Sequence, residues 1–387
     1  MNYVFISPNF PTNFKNFAIG LKAEGVTVLG IGTENYDSLD IGLKNALTEY
    51  YKVDNMDDYN QMLRACAFLT FKHGKINYIE SHNEYWLELD ARLRTDFNVP
   101  GLKTIDLPKI KHKSIMKDVF RKIGVPVARG SVVKTLDEAL ELIAELSYPI
   151  CAKPNQGVGA TNTYKINNDE DLQSFFRTKT NVDYIIEEFI DGEIHTFDGF
   201  VDNTGNVVTM SSMIYSKGLM ETVNQDLDSV FFIQRVIPDD LIEISKKILK
   251  AFDLKAQFFH LEYFRLLNGD LVALELNARP PGGLCLETIN YSMDDDIYRQ
   301  YAHMIAAKTN GPILNSKPYY CGFVGLKLHA SPPIHYMEEN REKFGDLIVY
   351  AAPNPPLFKT VMGDYAVILR HPNLDELKKA MNFVRER

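Results

Sequence analysis

The 387-residue chain is 45% hydrophobic and 24% charged, with a net charge of −9, an ordinary balance for a soluble globular protein with room for two or three domains. An acidic chain with no basic stripe argues against nucleic-acid binding, and with no run of 18 apolar residues no membrane-spanning helix is expected. Cys66, Cys151, Cys285 and Cys321 lie too far apart for Cys-x-x-Cys metal or redox spacing; they read as free thiols in the cytoplasm, and Met1 to Ile6 shows no signal-peptide pattern.

In chain order, residues 3–6 predict a buried strand. A helix follows to about Glu24, closed by Gly25, and residues 26–31 form the next strand. This opens a small α/β domain ending near Pro100. It lacks G-x-G-x-x-G, so a dinucleotide site is not indicated. Residues 111–123 predict an amphipathic helix with the stripe Ile115, Met116, Val119, Phe120 and Ile123, stopped by Gly124 and Pro126. Thr135 and Glu138 form a capping box for a helix ending near Ser147. A strand over 149–153, a polar loop, a helix over 169–176 and a strand over 184–190 complete a compact α+β unit, about 125–190, that can move as a lid. Strands follow over 196–201 and 207–215, then a helix over 241–252. From 311 the composition turns proline-rich, with a strand over 361–369 and a helix over 374–384. The domain plan is 1–100, 101–310, and a C-terminal α+β appendage over 311–387.

The most informative stretch is a predicted hairpin. Phe258 to Phe264 and Leu274 to Arg279 flank Leu267-Asn268-Gly269-Asp270, and Asn-Gly is a strong two-residue turn signal. That turn sets Leu267 opposite Asp270, Glu262 opposite Glu275 and His260 opposite Asn277. Strand alternation places Glu275, Asn277 and Arg279 on one face and Leu274, Leu276 and Ala278 on the other. Opposed carboxylates repel, and a divalent cation between them relieves the conflict. Glu and Asn oxygens are the hard ligands Mg²⁺ prefers. The plain alternative is a solvated strand face.

Other candidates stand beside it. Lys153 leaves a strand and enters a loop containing Gly157 and Gly159, which is either a phosphate cradle or a simple turn. It is not a Walker A loop, since no G-K-[ST] follows. Tyr184 to Glu193 is an apolar strand ending in acids, which suits either an adenine edge with a ribose acceptor or an ordinary strand and turn. Lys217 is a phosphoryl contact or a surface lysine. Ser81-His82-Asn83-Glu84 is a solvated loop or an acceptor-substrate contact. His195 reads as polar packing, and Arg265 as a surface partner on the hairpin.

Taken in order, Lys113, Lys153 with its glycine loop, the 187–193 segment and the hairpin resemble the ATP-grasp superfamily over residues 1–310. The resemblance implies a mixed α/β and α+β fold: an N-terminal pre-ATP-grasp α/β domain, a mobile lid and a core sheet, with ATP between lid and core. Position by position, it implies that Lys113 and Lys153 bind phosphates beside Gly157 and Gly159. Glu187, Phe189 and Ile190 form the adenine hinge, with Glu188 between them, and Glu193 accepts the ribose. Glu262, Glu275 and Asn277 hold Mg²⁺, with Mn²⁺ as an alternative, and Arg279 holds an acyl phosphate or substrate carboxylate. One departure is visible: Ala160-Thr161-Asn162 stands where Ser-x-Gly is usual, so Thr161 would have to substitute. The tail Asn277 to Gly283 looks most like carboxylate–amine ligases, including L-amino-acid ligases. The implied reaction joins a small-molecule carboxylate, through an acyl phosphate, to an amine, releasing ADP and phosphate, in an enzyme that forms a homodimer. Within the same fold the alternatives are a carboxylase or purine-biosynthesis ligase using bicarbonate or formate, or a nucleotide-binding protein without turnover.

Overall fold

The strand Asn2–Ile6 sends Tyr3 and Phe5 into one core and Val4 and Ile6 into another. A strand covered on both faces reads as an unbroken apolar run. Its sheet is parallel throughout, in the order Glu49–Lys52, Thr27–Gly32, Asn2–Ile6, Ile76–Glu80. The helix Lys15–Ala23 ends ahead of Gly25, whose φ of +83° suits glycine. The structure, a computed structural model, describes residues 1–157, 162–307, 317–328 and 334–386.

Aromatic packing joins this first sheet to the rest of the molecule. Phe17 lies 5.5 Å from Phe258, and Phe258 lies 5.0 Å from Tyr301, centroid to centroid. His82 fills the middle of the cluster, stacked on Phe17 at 4.0 Å, with Nε2 3.1 Å from the Tyr3 hydroxyl. The loop beginning at Ser81 is therefore not solvated: Ser81 and His82 are both buried.

The unit expected as a lid has its own core. Its four strands run antiparallel in the order Gly130–Val133, Tyr184–Glu188, Ile150–Pro154, Tyr164–Ile166. The helices Leu136–Leu146 and Asp169–Thr178 bury Ala139, Ile143, Leu172 and Phe175 against it. Thr135 and Glu138 form the predicted capping box. The helix expected over 111–123 is divided at His112 into Leu107–Lys111 and Lys113–Lys122. Met116 and Phe120 are buried as predicted, but Ile115 is exposed, and Lys117 takes the interior place instead.

Among the described residues, nine strands form the central sheet. Its path is Leu271–Asn277, Phe258–Arg265, Glu193–Val201, Met213–Tyr215, Ser229–Ile233, Tyr320–Leu326, Tyr365–His371, Ile348–Pro353, with Val207–Ser211 also paired to Glu193–Val201. The strand predicted over 207–215 is thus two strands, parted at Ser212. Gly199 allows the close approach of Val207–Ser211: a Cβ there would stand 1.9 Å from the Thr209 carbonyl oxygen. Tyr320–Leu326 pairs with Ser229–Ile233, so the described strands of the segment expected as an appendage belong to the central sheet.

The hairpin keeps the predicted register at its functional end by a different route. The turn is not the two-residue Asn-Gly turn. Leu266 closes on Asp270 around Leu267-Asn268-Gly269, with Gly269 at φ +91°, a three-residue loop. The ladder next to the turn is therefore displaced by one, pairing Arg265 with Leu271 and Tyr263 with Ala273. A bulge at Leu274 restores it, so Glu262 faces Glu275 and His260 faces Asn277. The bulge also reverses the alternation. Leu271 and Ala273 point into the apolar core before it, Leu276 and Ala278 after it. Leu274, expected on that core face, is the half-buried extra residue.

Burial pushes the His82 imidazole down to about 4 from its ordinary 6.5, with Glu80 opposing and Arg94 assisting. The unfolded chain takes up this proton near 6.5 and the folded chain only near 4. Stability is therefore lost as pH falls between those values. Between pH 6.5 and 4 the wild type is expected to lose about 3 kcal/mol more than His82→Asn, read from urea midpoints. Equal slopes for the two proteins would refute this.

Candidate functional site

Alternation along Phe258–Arg265 puts Phe259, Leu261 and Tyr263 in the core and leaves His260 and Glu262 on the opposite face. The Leu274 bulge turns Glu275 and Asn277 to that same face. His260 Nδ1 donates to Asp198 at 2.5 Å and Nε2 donates to Glu262 at 2.9 Å. Asp198 is fully buried and also accepts from the Thr196 hydroxyl. Burial pushes the His260 imidazole down, but Asp198 and Glu262 together raise it to about 9, so it bridges the two carboxylates as an imidazolium.

The facing acid is balanced separately. The helix Lys113–Lys122 lies on the hairpin, with Met116 Sδ accepting from the Leu276 N–H at 3.2 Å. That contact brings Lys113 Nζ to 3.3 Å from Glu275 Oε2 and lets it donate to the Gly157 carbonyl at 3.1 Å. Burial would raise the Glu275 carboxyl, yet Lys113 and Lys153, with Asn277, hold it down at about 2. The opposed pair is thus relieved by protein groups, His260 on one side and Lys113 on the other. Repulsion between Glu262 and Glu275 therefore does not by itself require a cation.

Behind these groups lies a buried triad. Glu187 accepts from Lys153 at 2.8 Å through Oε2 and contacts Lys117 through Oε1. Burial would raise the Glu187 carboxyl, but the two lysines hold it below its ordinary value. Lys153 stands raised despite its burial, through Glu187 chiefly.

Glu187 directs its side chain to the lysines. The Glu188 carboxylate takes Arg129, with Nε at 2.8 Å. The Glu188 N–H donates to the Arg129 carbonyl and the Phe189 N–H to the Pro149 carbonyl, so neither amide is open to a ligand. The ring of Phe189 lies 3.9 Å beneath the Lys165 ammonium, and Ile190 is half-buried. Glu193 is exposed and accepts from His195 Nε2 at 2.7 Å. Arg265 pairs with Asp240 and donates to the Gly269 carbonyl. Arg279 Nε stands 3.3 Å from Glu84 Oε2, and its NH1 donates to the Pro280 carbonyl at 2.8 Å. Lys217 is exposed and, among the described residues, pairs with no acid, so the structure does not join it to the cluster. Gly159 and Thr161 lie outside the described residues.

Lys117, Asp198 and Thr196 belong to the cluster and were not singled out from the sequence. Each had a signal. Lys117 stands four residues after Lys113 and so shares its helix face. Asp198 is a lone acid in the apolar run Phe197-Asp198-Gly199-Phe200.

A model of the ATP-grasp domain matches residues 146–288. The L-amino acid ligase from Bacillus licheniformis superposes with a TM-score of 0.74 at 16% identity, covering 99% of this chain and 96% of its own. The chain has an ATP-grasp fold. The biotin carboxylase domain of the Hydrogenobacter thermophilus 2-oxoglutarate carboxylase, solved with MgADP, ADP and bicarbonate, superposes at 0.70 with 16% identity, covering 98% and 89%. In sequence, the L-arginine-specific L-amino acid ligase of Bacillus subtilis is 26% identical over 243 residues, 60% of this chain and 58% of that protein. The chain thus spans less than two thirds of the curated relatives it matches. Among the described residues no helix is long and apolar enough to cross a membrane.

The donor set of the ATP-grasp hairpin fits a hard divalent cation. Among the described residues no three His, Cys, Asp or Glu side chains are placed to hold a metal. The hairpin instead offers two carboxylates and the Asn277 amide, all oxygen donors of the kind Mg²⁺ takes, with Glu275 held ionised.

His260 contributes stability that is complete below pH 6.5 and disappears as pH rises through about 9, because its folded value is raised. Asp198→Asn removes the buried partner and is expected to lower the unfolding free energy by about 3–5 kcal/mol at pH 6, less at pH 9.5. A deficit independent of pH, measured by urea denaturation, would contradict the assignment.

Proposed function

We propose that the chain is an ATP- and Mg²⁺-dependent ligase that activates a carboxylate as an acyl phosphate and joins it to an amine. One observation carries the reading: the Glu275 carboxylate, facing Glu262 across the hairpin, lies under the charges of both Lys113 and Lys153. A concentration of ammonium groups beside opposed acids is poorly suited to an apolar or cationic ligand. It suits a polyphosphate whose charge is shared between lysines and a metal. The two L-amino acid ligases among the relatives, and the Arg279-Pro280-Pro281-Gly282-Gly283 tail, favour an amine as the acceptor.

In this reading Lys113 and Lys153 bind the phosphate chain, and Glu262, Glu275 and Asn277 hold Mg²⁺. When bound, Mg²⁺ neutralises charge on the phosphoryl oxygens. A substrate carboxylate oxygen attacks the γ-phosphorus and the bond to the ADP oxygen breaks. The amine nitrogen then attacks the acyl carbon, the carbon–oxygen bond to phosphate breaks, and the amine proton leaves to solvent or phosphate. Arg279 orients the carboxylate, with Glu84 fixing its guanidinium. The lid, 125–190, closes over the nucleotide and excludes water that would hydrolyse the intermediate. Fixed charges aimed at the transferring group supply the stabilisation.

Product mass spectra after incubation with ATP, Mg²⁺ and pooled amino acids should show an amide and equimolar ADP. ADP formation supported by bicarbonate and not by amino acids would instead assign a carboxylase. Glu275→Gln should lose turnover by about two orders of magnitude or more while its circular dichroism stays that of the wild type; near-normal activity would refute the metal assignment. Lys153→Ala should weaken ATP binding by roughly tenfold in calorimetry, and unchanged affinity would remove Lys153 from the phosphate site.

A further inference from the structure

One buried carboxylate held by two ammoniums has a cation more than pairing requires. The side chains of Lys117, Lys153 and Glu187 are 1%, 9% and 3% exposed. Lys153 and Glu187 come from adjacent lid strands, paired through Cys151 opposite Glu187. Lys117 comes from outside that sheet, on the helix Lys113–Lys122, one turn after the lysine that touches Glu275 and Gly157. Burial, and then Lys153, push the Lys117 ammonium down to about 8, as expected where positive charge is in excess.

The geometry points to Lys117 as a positioning residue that neutralises Glu187 so that Lys153 stays available to an anionic phosphate chain. This rests on the nucleotide reading above. When a phosphate oxygen draws Lys153 Nζ away from Glu187 Oε2, Lys117 still holds Oε1, and no buried carboxylate is left alone. Without Lys117 the same movement strands Glu187 in the interior, which is costly. Lys153 then remains tied in a neutral pair and offers little to a phosphate. The helix that carries Lys117 also carries Lys113, so one rigid element sets the charge at both ends of the phosphate path.

The test compares ATP with adenosine, which has the base and ribose but no phosphate, by calorimetry with Mg²⁺ on the full chain. The readout is the ratio of the two affinities. Lys117→Met should weaken ATP binding roughly tenfold and leave adenosine within about twofold. Lys117→Arg should restore the wild-type ratio. In Lys117→Met/Glu187→Gln the acid is gone, Lys153 is free, and the ratio should also return. The double variant leaves no buried carboxylate unpaired, so it carries the test if Lys117→Met alone does not fold. An unchanged ratio in Lys117→Met overturns the inference. So does a ratio that stays low in the double variant, which would mean that Lys117 meets the phosphates itself. A wild-type chain that binds no ATP overturns the nucleotide reading along with this one. A wild-type chain that binds ATP beside an indifferent Lys117→Met overturns this one alone.

Discussion

An ionised carboxylate is costly in a protein interior unless a cation or several hydrogen bonds stand beside it, and the candidate site answers that demand repeatedly with cations. Glu187 has Lys117 and Lys153, Glu275 has Lys113, and Asp198 and Glu262 share His260. Glu80 has Arg94, and Glu84 has Arg279. The partners rarely come from one element. Lys113 and Lys117 lie on a helix, Lys153 and Glu187 on lid strands, Asp198, His260 and Glu262 on the central sheet, and Glu84 in the N-terminal domain. The Lys117–Glu187, Lys113–Glu275 and Arg279–Glu84 pairs each tie two units together, so placing those charges also places the lid, the sheet and the first domain around one site.

Apolar packing supplies the rigid side of the same arrangement. Phe259, Leu261, Tyr263, Leu276 and Ala278 bury one face of the hairpin against Met116 and Phe120. That leaves the other face free for charge. A helix held by Met116 and Phe120 has no freedom to rotate Lys113 or Lys117 away from the acids. The site can therefore keep several like charges close without separating. The same logic holds at the far side of the central sheet, where Phe17, Phe258 and Tyr301 lock the first domain in place.

Much of the fold was legible. The apolar run gave Asn2–Ile6 as a buried strand, alternation set Glu275 and Asn277 apart from Leu276 and Ala278, and the Thr135 to Glu138 spacing gave a helix start, because these signals are local. The pairing of Glu262 with Glu275 was also predicted, though through a turn that does not form. The three-residue loop and the Leu274 bulge each displace the ladder by one, in opposite senses. Neither is encoded by an unmistakable local signal; burial of Leu271 and Ala273 on one side and Leu276 and Ala278 on the other requires both. Ile115 was misplaced for a related reason. Helical periodicity cannot see a buried carboxylate on another element: Glu187 draws Lys117 inward beside Met116 and Phe120, and Ile115, on the far flank of the expected stripe, is left exposed. The 311–387 segment looked separate because composition shifts there, yet its strand Tyr320–Leu326 hydrogen-bonds to Ser229–Ile233 and so belongs to the main sheet.

By itself, the sequence determined which residue types were present at which spacing: two lysines ahead of a glycine loop, acids on alternating strand positions, and an arginine after them. Those are properties of neighbours along the chain, and strand and helix periods turn them directly into faces. Only the tertiary structure decided which cation answers which acid, and that Lys217 stays outside the cluster. Charge pairing depends on distance through space. The helix, the lid and the central sheet meet only after each has folded and buried its own apolar face.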